Sequence, residues 1–379
     1  MSFIPTWVER RLVRHAEGMP PIPSPPAEPS SPPLPATMRA SVTTHHGGLD
    51  AIELRDVPLP RPGPGEVLVR VSAAGCNNTD LWTREGSYGS TADPGAKAGW
   101  LGPLDFPRIQ GGDVAGTVVA SGDAPTAGLV GSRVLVDPAI YDGDGRDAHP
   151  VDVLGSERDG GFAEYVVVPG ARAHPVDESP LTDVELAALP IAYGTALGML
   201  DRGSVSEGHT VLVTGASGGV GLAAVQLARA RGARVVAVCS GDKADAVRSA
   251  GADAVVDRQR GQVTADAAAV APEGYDAVVD VVAGAGLDLG LLRAAGRWVV
   301  AGALDGWSVN LDVRRLYLAN LALVGSTMHT PRIFDQLVGL ARQGTVRPVI
   351  AATFGLDEVP DAQTQLARRQ HVGKLVIVP

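Results

Sequence analysis

The chain has 379 residues, of which 45% are hydrophobic and 20% charged, and 32 basic against 42 acidic side chains give a formal charge of −10. That length suits two domains of ordinary size, each with enough apolar residues for a core. The acidic balance argues against a nucleic-acid surface, no run of about 18–20 apolar residues offers a membrane span, and two distant cysteines, Cys76 and Cys239, exclude a disulfide framework or a clustered cysteine metal site.

In chain order, residues 1–37 stand apart. Met1 to Met19 has the makings of a short basic helix through Trp7, Arg10, Arg11 and Arg14. Pro20 to Pro35 is dominated by Pro, Ser and Ala, which prefer extended, solvated conformations. Arg10-Arg11 is not followed by an apolar segment, so an export signal is not expected and a cytoplasmic location is. The expectation is a disordered tail, or an upstream start codon with Met38 as the initiator.

From Met38 to about Pro169 short β segments are broken by Pro and Gly. Glu66–Val71 alternates polar and apolar residues after the turn-rich Arg61–Gly65, as a half-buried strand should. Val114–Val119, Ser132–Val136 and Phe162–Val168 are further strands, and two long loops, about Gly86–Pro107 and Pro138–Gly161, have the length of binding loops or lids. After about Asp183 the period changes. Buried strands at Thr210–Thr214, Arg234–Cys239, Ala254–Val256, Ala277–Val281, Arg297–Ala301 and Ala322–Val324 alternate with helices at Val220–Arg231, Lys243–Ser249, Leu287–Leu292 and Ile333–Arg342. Continuous apolar strands alternating with helices indicate an α/β fold, a parallel sheet covered on both faces. Glycines at its strand-to-helix corners explain many of the 47 in the chain.

One corner carries chemistry. Thr214-Gly215-Ala216-Ser217-Gly218-Gly219-Val220-Gly221 follows a predicted strand and opens a predicted helix. A dinucleotide turn needs one glycine where the backbone approaches the pyrophosphate and another where helix packs on strand, and Gly218 and Gly221 have that separation. Phosphates would meet free N–H groups of Ala216, Ser217, Gly218, Gly219 and Val220 at the positive end of the helix. The second strand ends Val238-Cys239-Ser240, without the carboxylate that would bind a ribose 2′-hydroxyl and repel a 2′-phosphate. Ser240, Lys243 and Arg258 are suited to such a phosphate, so the expected cofactor is NADPH.

Taken together, Pro62–Val67, Gly75-Cys76-Asn77-Asn78-Thr79-Asp80, Gly111–Gly116, Gly160–Tyr165, the Gly215–Gly221 turn and Gly373-Lys374-Leu375-Val376 resemble the medium-chain dehydrogenase/reductase superfamily, over about Met38 to Pro379. The resemblance implies an N-terminal GroES-like, β-rich catalytic domain (38–183, completed by 346–379) and a Rossmann domain with a doubly wound parallel sheet (184–345). The nicotinamide would lie in the cleft between them. The superfamily is usually dimeric or tetrameric, so a homodimer or homotetramer is expected.

The zinc question decides the chemistry. Where zinc-dependent members carry a cysteine this sequence has Asn77, and where they carry His-Glu it has Gly112-Asp113. The third ligand region, Leu189–Ala196, has neither Cys nor carboxylate, so no metal is expected. Cys76 is one position early and suits a small buried role. The zinc-free quinone oxidoreductase and enoyl reductase branch fits better, with hydride transfer to an already electrophilic carbon of an enone, enoyl or quinone substrate. The resemblance implies Tyr88 near the nicotinamide as proton donor, Asn77 bonding the substrate or the cofactor amide, and Thr195 facing the nicotinamide. Asp80 and Asp113 match acids that tie loops together. His149, His174, His329 and His371 have no partner pattern and read as surface residues. The alternatives are an NADP-dependent alcohol or carbonyl dehydrogenase, and a low-turnover NADPH-binding sensor or structural protein.

Overall fold

The computed structural model describes residues 33–88, 101–283, 288–306 and 308–379. The expected basic helix and most of the Pro-rich tail lie outside them, as does the middle of the first long loop.

The N-terminal half is β-rich. Strands β1 (Thr37–Thr43), β2 (Ile52–Pro58) and β4 (Arg108–Ile109) form a small sheet in the order β2-β1-β4. The main N-terminal sheet is built on β3 (Glu66–Gly75), expected to be half-buried but buried on both faces at Val67, Leu68 and Val69, because the strand is paired on both sides and covered by the core. It pairs with β5 (Asp113–Ser121) and β9 (Tyr165–Pro169), and β6 (Arg133–Val136) and β10 (Ala173–Pro175) extend the sheet. The chain returns at its C-terminus, where β18 (Lys374–Ile377) pairs antiparallel with β3 and parallel with β17 (Ile350–Phe354). The second long loop, read from the sequence as irregular, contains a hairpin of β7 (Ala139–Tyr141) and β8 (Pro150–Val153). These short strands are bounded by Pro and Gly, which hides them from pattern reading.

The second half is a six-stranded parallel sheet in the order β13-β12-β11-β14-β15-β16. Its strands are β11 (Thr210–Val213), β12 (Arg234–Cys239), β13 (Ala254–Asp257), β14 (Tyr275–Asp280), β15 (Leu292–Val300) and β16 (Ala322–Gly325). That order, with the reversal between β11 and β14, is the doubly wound nucleotide-binding topology. One correction falls here. Of the helix expected over Leu287–Leu292, whose first residue lies outside the described residues, there is only a 3-10 turn at Leu289–Leu291, and β15 already begins at Leu292. Leu292 is held opposite Tyr275 of β14 by the register of the sheet, and that pairing overrides the local helix preference of leucine.

The helices are α1 (Asn78–Glu85), α2 (Asp183–Ala187), α3 (Pro190–Arg202), α4 (Gly219–Ala230), α5 (Ala244–Ser249), α6 (Val263–Val270), α7 (Val313–Leu318), α8 (Pro331–Gln343) and α9 (Val359–Arg368). Helix α3 is buried at every position from Pro190 to Leu200. One buried apolar cluster runs from Ala73, Ala115 and Leu135 of the N-terminal sheet through α2 and α3 to Val211, Val235 and Val279 of the parallel sheet. The two sheets are thus joined by one apolar core, and a cleft is lined by the ends of β11, β12 and β14 together with residues of β18.

Candidate active site

The cleft encloses about 630 Å³, with walls from both halves of the chain and from the C-terminal segment. Its phosphate end is the turn between β11 and α4. Gly215 has a left-handed backbone (φ 57°). A Cβ at Gly221 would run into the Gly215 carbonyl oxygen and lie 2.7 Å from Ala216 Cα, so the close approach of α4 to the turn requires glycine there. A Cβ at Gly218 would meet only Gly215 O, at 3.6 Å. Gly218 is the N-cap of α4, has no side chain to cap the first-turn N–H groups, and opens onto the cleft with Ser217, Gly219 and Val220. Bare N–H groups at the positive end of a helix form a cradle for a diphosphate, so these residues fit a dinucleotide. Ala216 is fully buried behind them.

At the far end, beyond β12, the walls are Cys239, Ser240, Lys243 and Arg258. Arg258 Nε donates to Ser240 Oγ at 2.9 Å. Lys243 is buried, and its Nζ donates to the backbone carbonyls of Arg369 (2.7 Å) and His371 (3.1 Å). It therefore ties the nucleotide side of the cleft to the C-terminal segment, a duty that its place in the sequence does not suggest. Arg369 and His371 also line the cleft, and no local motif marked them. Asp280 closes the floor, with its carboxylate accepting from Thr214 Oγ1 (2.5 Å), the N–H groups of Val282 and Ala283, and Trp298 Nε1 (3.0 Å).

The opposite end is formed by Cys76, Asn77, Thr79, Trp82, Tyr88, Ile191, Thr195 and Met328. Tyr88 OH donates to Thr79 Oγ1 at 3.0 Å, and its ring meets Trp82 edge-on at 5.4 Å. Burial pushes the Tyr88 phenol up, so it stays protonated at neutral pH. Thr195 is one turn beyond Ile191 on α3 and faces the same space.

Asn77 has a different setting from the one expected of a substrate-binding amide. Its Nδ2 donates to Asp113 Oδ2 (2.9 Å) and Gly75 O (3.3 Å), and its Oδ1 accepts from Lys374 Nζ (2.7 Å). Lys374 Nζ also reaches Cys76 O (2.8 Å) and Asp113 Oδ2 (2.9 Å). Asp113 Oδ1 accepts from the Ile191 N–H (2.7 Å), which fixes the start of α3. Asp80 accepts from the N–H groups of Asn77 and Gly111; burial pushes its carboxyl up to about 7, against the Asn77 bond and the Lys374 charge, which pull it down. Gly75 lets this web close, because a Cβ there would lie 2.8 Å from Asp113 Oδ2. Burial also raises the Cys76 thiol well above its ordinary value, so Cys76 is inert packing.

Among the described residues no group of three or more His, Cys, Asp or Glu side chains stands together to hold a metal ion. At the positions matched to zinc ligands stand an amide already bound to an ammonium, a glycine whose Cβ would strike Ile191 beside a carboxylate (Asp113) bound to the same ammonium, and the stretch Leu189–Ala196 with no Cys, His or carboxylate. That donor set does not fit zinc, which takes three protein ligands and an open position.

His329, expected at the surface, is buried, with Nε2 3.1 Å from Asp137 Oδ1. The sequence reading missed it because its partner comes from the other half of the chain.

Two family models match: an alcohol dehydrogenase GroES-like domain over residues 63–178 and a zinc-binding dehydrogenase over 219–343. The chain is 32% identical over 372 residues to the synaptic vesicle membrane protein VAT-1 homolog of Rattus norvegicus, covering 90% of this chain and 84% of that one. It is 30% identical over 351 residues to the acryloyl-coenzyme A reductase of Metallosphaera sedula, covering 90% and 99%. A Sinorhizobium meliloti 1021 structure described as a "putative alcohol dehydrogenase" superposes with a TM-score of 0.86 at 44% identity, over 91% of this chain and 98% of that one.

Proposed function

The chain belongs to the medium-chain dehydrogenase/reductase superfamily, and from that premise we propose that it is an NADPH-dependent, zinc-independent reductase of an α,β-unsaturated carbonyl or quinone. One observation carries the reading: the position of the first zinc ligand is filled by Asn77, whose amide is committed to Lys374 and Asp113. Without a Lewis acid, hydride transfer requires a carbon that is already electrophilic, such as the β-carbon of an enone. The likeness to an acryloyl-coenzyme A reductase supports that substrate class.

When bound, the reduced nicotinamide supplies the hydride. The N–H groups of Gly219 and Val220 hold the diphosphate, the Gly218 N–H being taken by the Gly215 carbonyl (3.1 Å), and Ser240 with Arg258 holds the 2′-phosphate. Thr195, Ile191 and Trp82 confine the substrate and exclude water. Tyr88, kept protonated by burial and ordered by Thr79, donates the proton that completes the saturated carbonyl. Asn77 acts through position, holding the loop between β3 and α1 against Lys374.

The test is loss of NADPH absorbance with a panel of enones and quinones, alongside metal analysis. Turnover at substoichiometric zinc is the expected result; activity that follows added zinc would overturn the metal-free reading. The structural likeness to an alcohol dehydrogenase keeps a second reading open, and oxidation of simple alcohols with NADP as the better reaction would favour it.

Two further outcomes are expected. Arg258→Ala weakens NADPH by about 10–100-fold and NADH by less than about threefold, as the loss of a charge-assisted phosphate contact should. It is a cleaner probe than Lys243→Ala, which also frees the carbonyls of Arg369 and His371. Titration of both cofactors by fluorescence checks this, and equal losses would remove Arg258 from the 2′-phosphate site. The chain is also proposed to be a homodimer. Strand β16 is one of the two edges of the parallel sheet, and Val313, Tyr317 and Leu318 of α7, which precedes it in the chain, are each at least 60% exposed, an apolar patch of the kind that marks an interface. Leu318→Asp should give a monomer by size-exclusion chromatography with light scattering, and a wild-type monomer would discard the dimer.

A further inference from the structure

The segment Ser326–His329, between β16 and α8, crosses helix α3 where that helix has two glycines on one face. A Cβ at Gly198 would lie 2.8 Å from the Met328 carbonyl oxygen, and one at Gly194 would collide with the His329 ring. The close crossing therefore depends on Gly194 and Gly198, which are spaced i, i+4. Within the crossing, Met328 has a left-handed backbone, φ 47°. A long side chain seldom adopts that conformation, which persists only where the surroundings over-determine it.

The constraint is visible in the next residue. His329 Nε2 is 3.1 Å from Asp137 Oδ1, and neither side chain is exposed at all. His329 Nδ1 faces Gly194 and has no partner among the described residues, so Nε2 carries the donated proton. Burial alone would raise the Asp137 carboxyl. The His329 bond, the Arg172 charge and the Ala139 N–H hold it below the ordinary carboxylate range, as an ionised acceptor. Tyr141 OH donates to the same oxygen at 3.1 Å. Asp137 follows β6 in the N-terminal sheet, so the strained segment is clamped between α3 on one side and the N-terminal half on the other. The clamp turns Met328 against Ile191 and Tyr141, as part of the wall beside Thr195 and Tyr88.

We propose that Met328 limits the size of the apolar substituent the cleft accepts, and that His329 and Asp137 are positioning residues that hold it there. The proposal rests on the reading of this end of the cleft as the substrate site. A rigid apolar wall discriminates by about tenfold or more for each methylene it excludes. Met328 packs with Ala139, Tyr141, Val153 and Ile191, none of them in the glycine turn, so its effect is on substrate and not on nucleotide.

The experiment compares kcat/KM for enones carrying methyl through hexyl at the β-carbon, with NADPH affinity measured separately. Met328→Ala should raise the hexyl-to-methyl ratio by about tenfold, Met328→Phe should lower it, and NADPH affinity should stay within about threefold in both. His329→Leu should shift the ratio as Met328→Ala does, whereas His329→Gln, which keeps an N–H donor near the ε position, should restore it. A merely structural histidine would lower activity on all substrates alike. An unchanged ratio in both Met328 variants overturns the size limit, and an unchanged ratio in folded His329→Leu overturns the clamp. If the wild type binds NADPH but reduces no enone, the reductase reading fails by itself. The series is then read as binding of saturated ketones by quenching of tryptophan fluorescence, where the same shift in ratio is expected and its absence overturns the proposal.

Discussion

Replacing Asp113 by alanine should cost about 3–5 kcal/mol of stability, because it leaves a buried ammonium without its counter-charge. Asp113 has no exposed side-chain surface and Lys374 only 5%, and the two are 2.9 Å apart. The same carboxylate holds the Asn77 amide and the first N–H of α3 past Pro190. Its loss therefore opens the loop between β3 and α1, the C-terminal strand β18 and helix α3 together. The expected reading is a melting temperature lower by on the order of 10 °C, with activity falling by more than the unfolded fraction explains. Asp113→Ala combined with Lys374→Met should be less destabilised than Asp113→Ala alone, because no charge is then left unpaired. A double variant as unstable as the sum of the two single variants would show that the pair is not coupled.

Gly221→Val should abolish cofactor binding and lower stability together, whereas Gly218→Ala should affect binding alone. At Gly221 an added Cβ meets backbone, the Gly215 carbonyl and Ala216 Cα, and backbone cannot yield without moving α4 off the turn. Overpacking of that kind costs about 1–3 kcal/mol or more, and it turns the first N–H groups of α4 away from the diphosphate. NADPH affinity should fall by at least about 100-fold. At Gly218 the Cβ points into open cleft, so the melting temperature should stay near that of the wild type while affinity falls about tenfold or more. Gly218→Ala with unchanged affinity would mean that the diphosphate does not sit on this turn. Fluorescence titration with NADPH and a thermal melt on each variant separate the two effects.

Much of this was legible locally. Val211–Val213 and Val235–Cys239 are continuous apolar runs, the mark of strands buried on both faces, and the glycine turn between them needs only its own sequence to be read. Helix α3 was not assigned for the opposite reason. It is buried at every position from Pro190 to Leu200, so no polar face sets a helical period. The helix expected to end at Leu292 gives way there to β15, because Leu292 pairs with Tyr275 of β14, a partner outside the local sequence. His329 was placed at the surface because its partner, Asp137, is 192 positions away.

Local sequence was enough to read the alternation of apolar strands with helices, the glycine turn after β11 and the lack of Cys and His at the positions matched to zinc ligands, because each depends on residue type at short, fixed spacing. Only the tertiary structure decided what occupies that place instead. Lys374 reaches Asn77 and Asp113 across separations of 297 and 261 residues, Lys243 turns to carbonyls of the C-terminal segment, and His329 clamps the Met328 backbone onto Asp137. Pairings over such distances leave no periodic trace in a single sequence. They arise when the chain's return along β18 and the crossing at α3 bring buried charges together, where each must find a partner to offset its lost hydration.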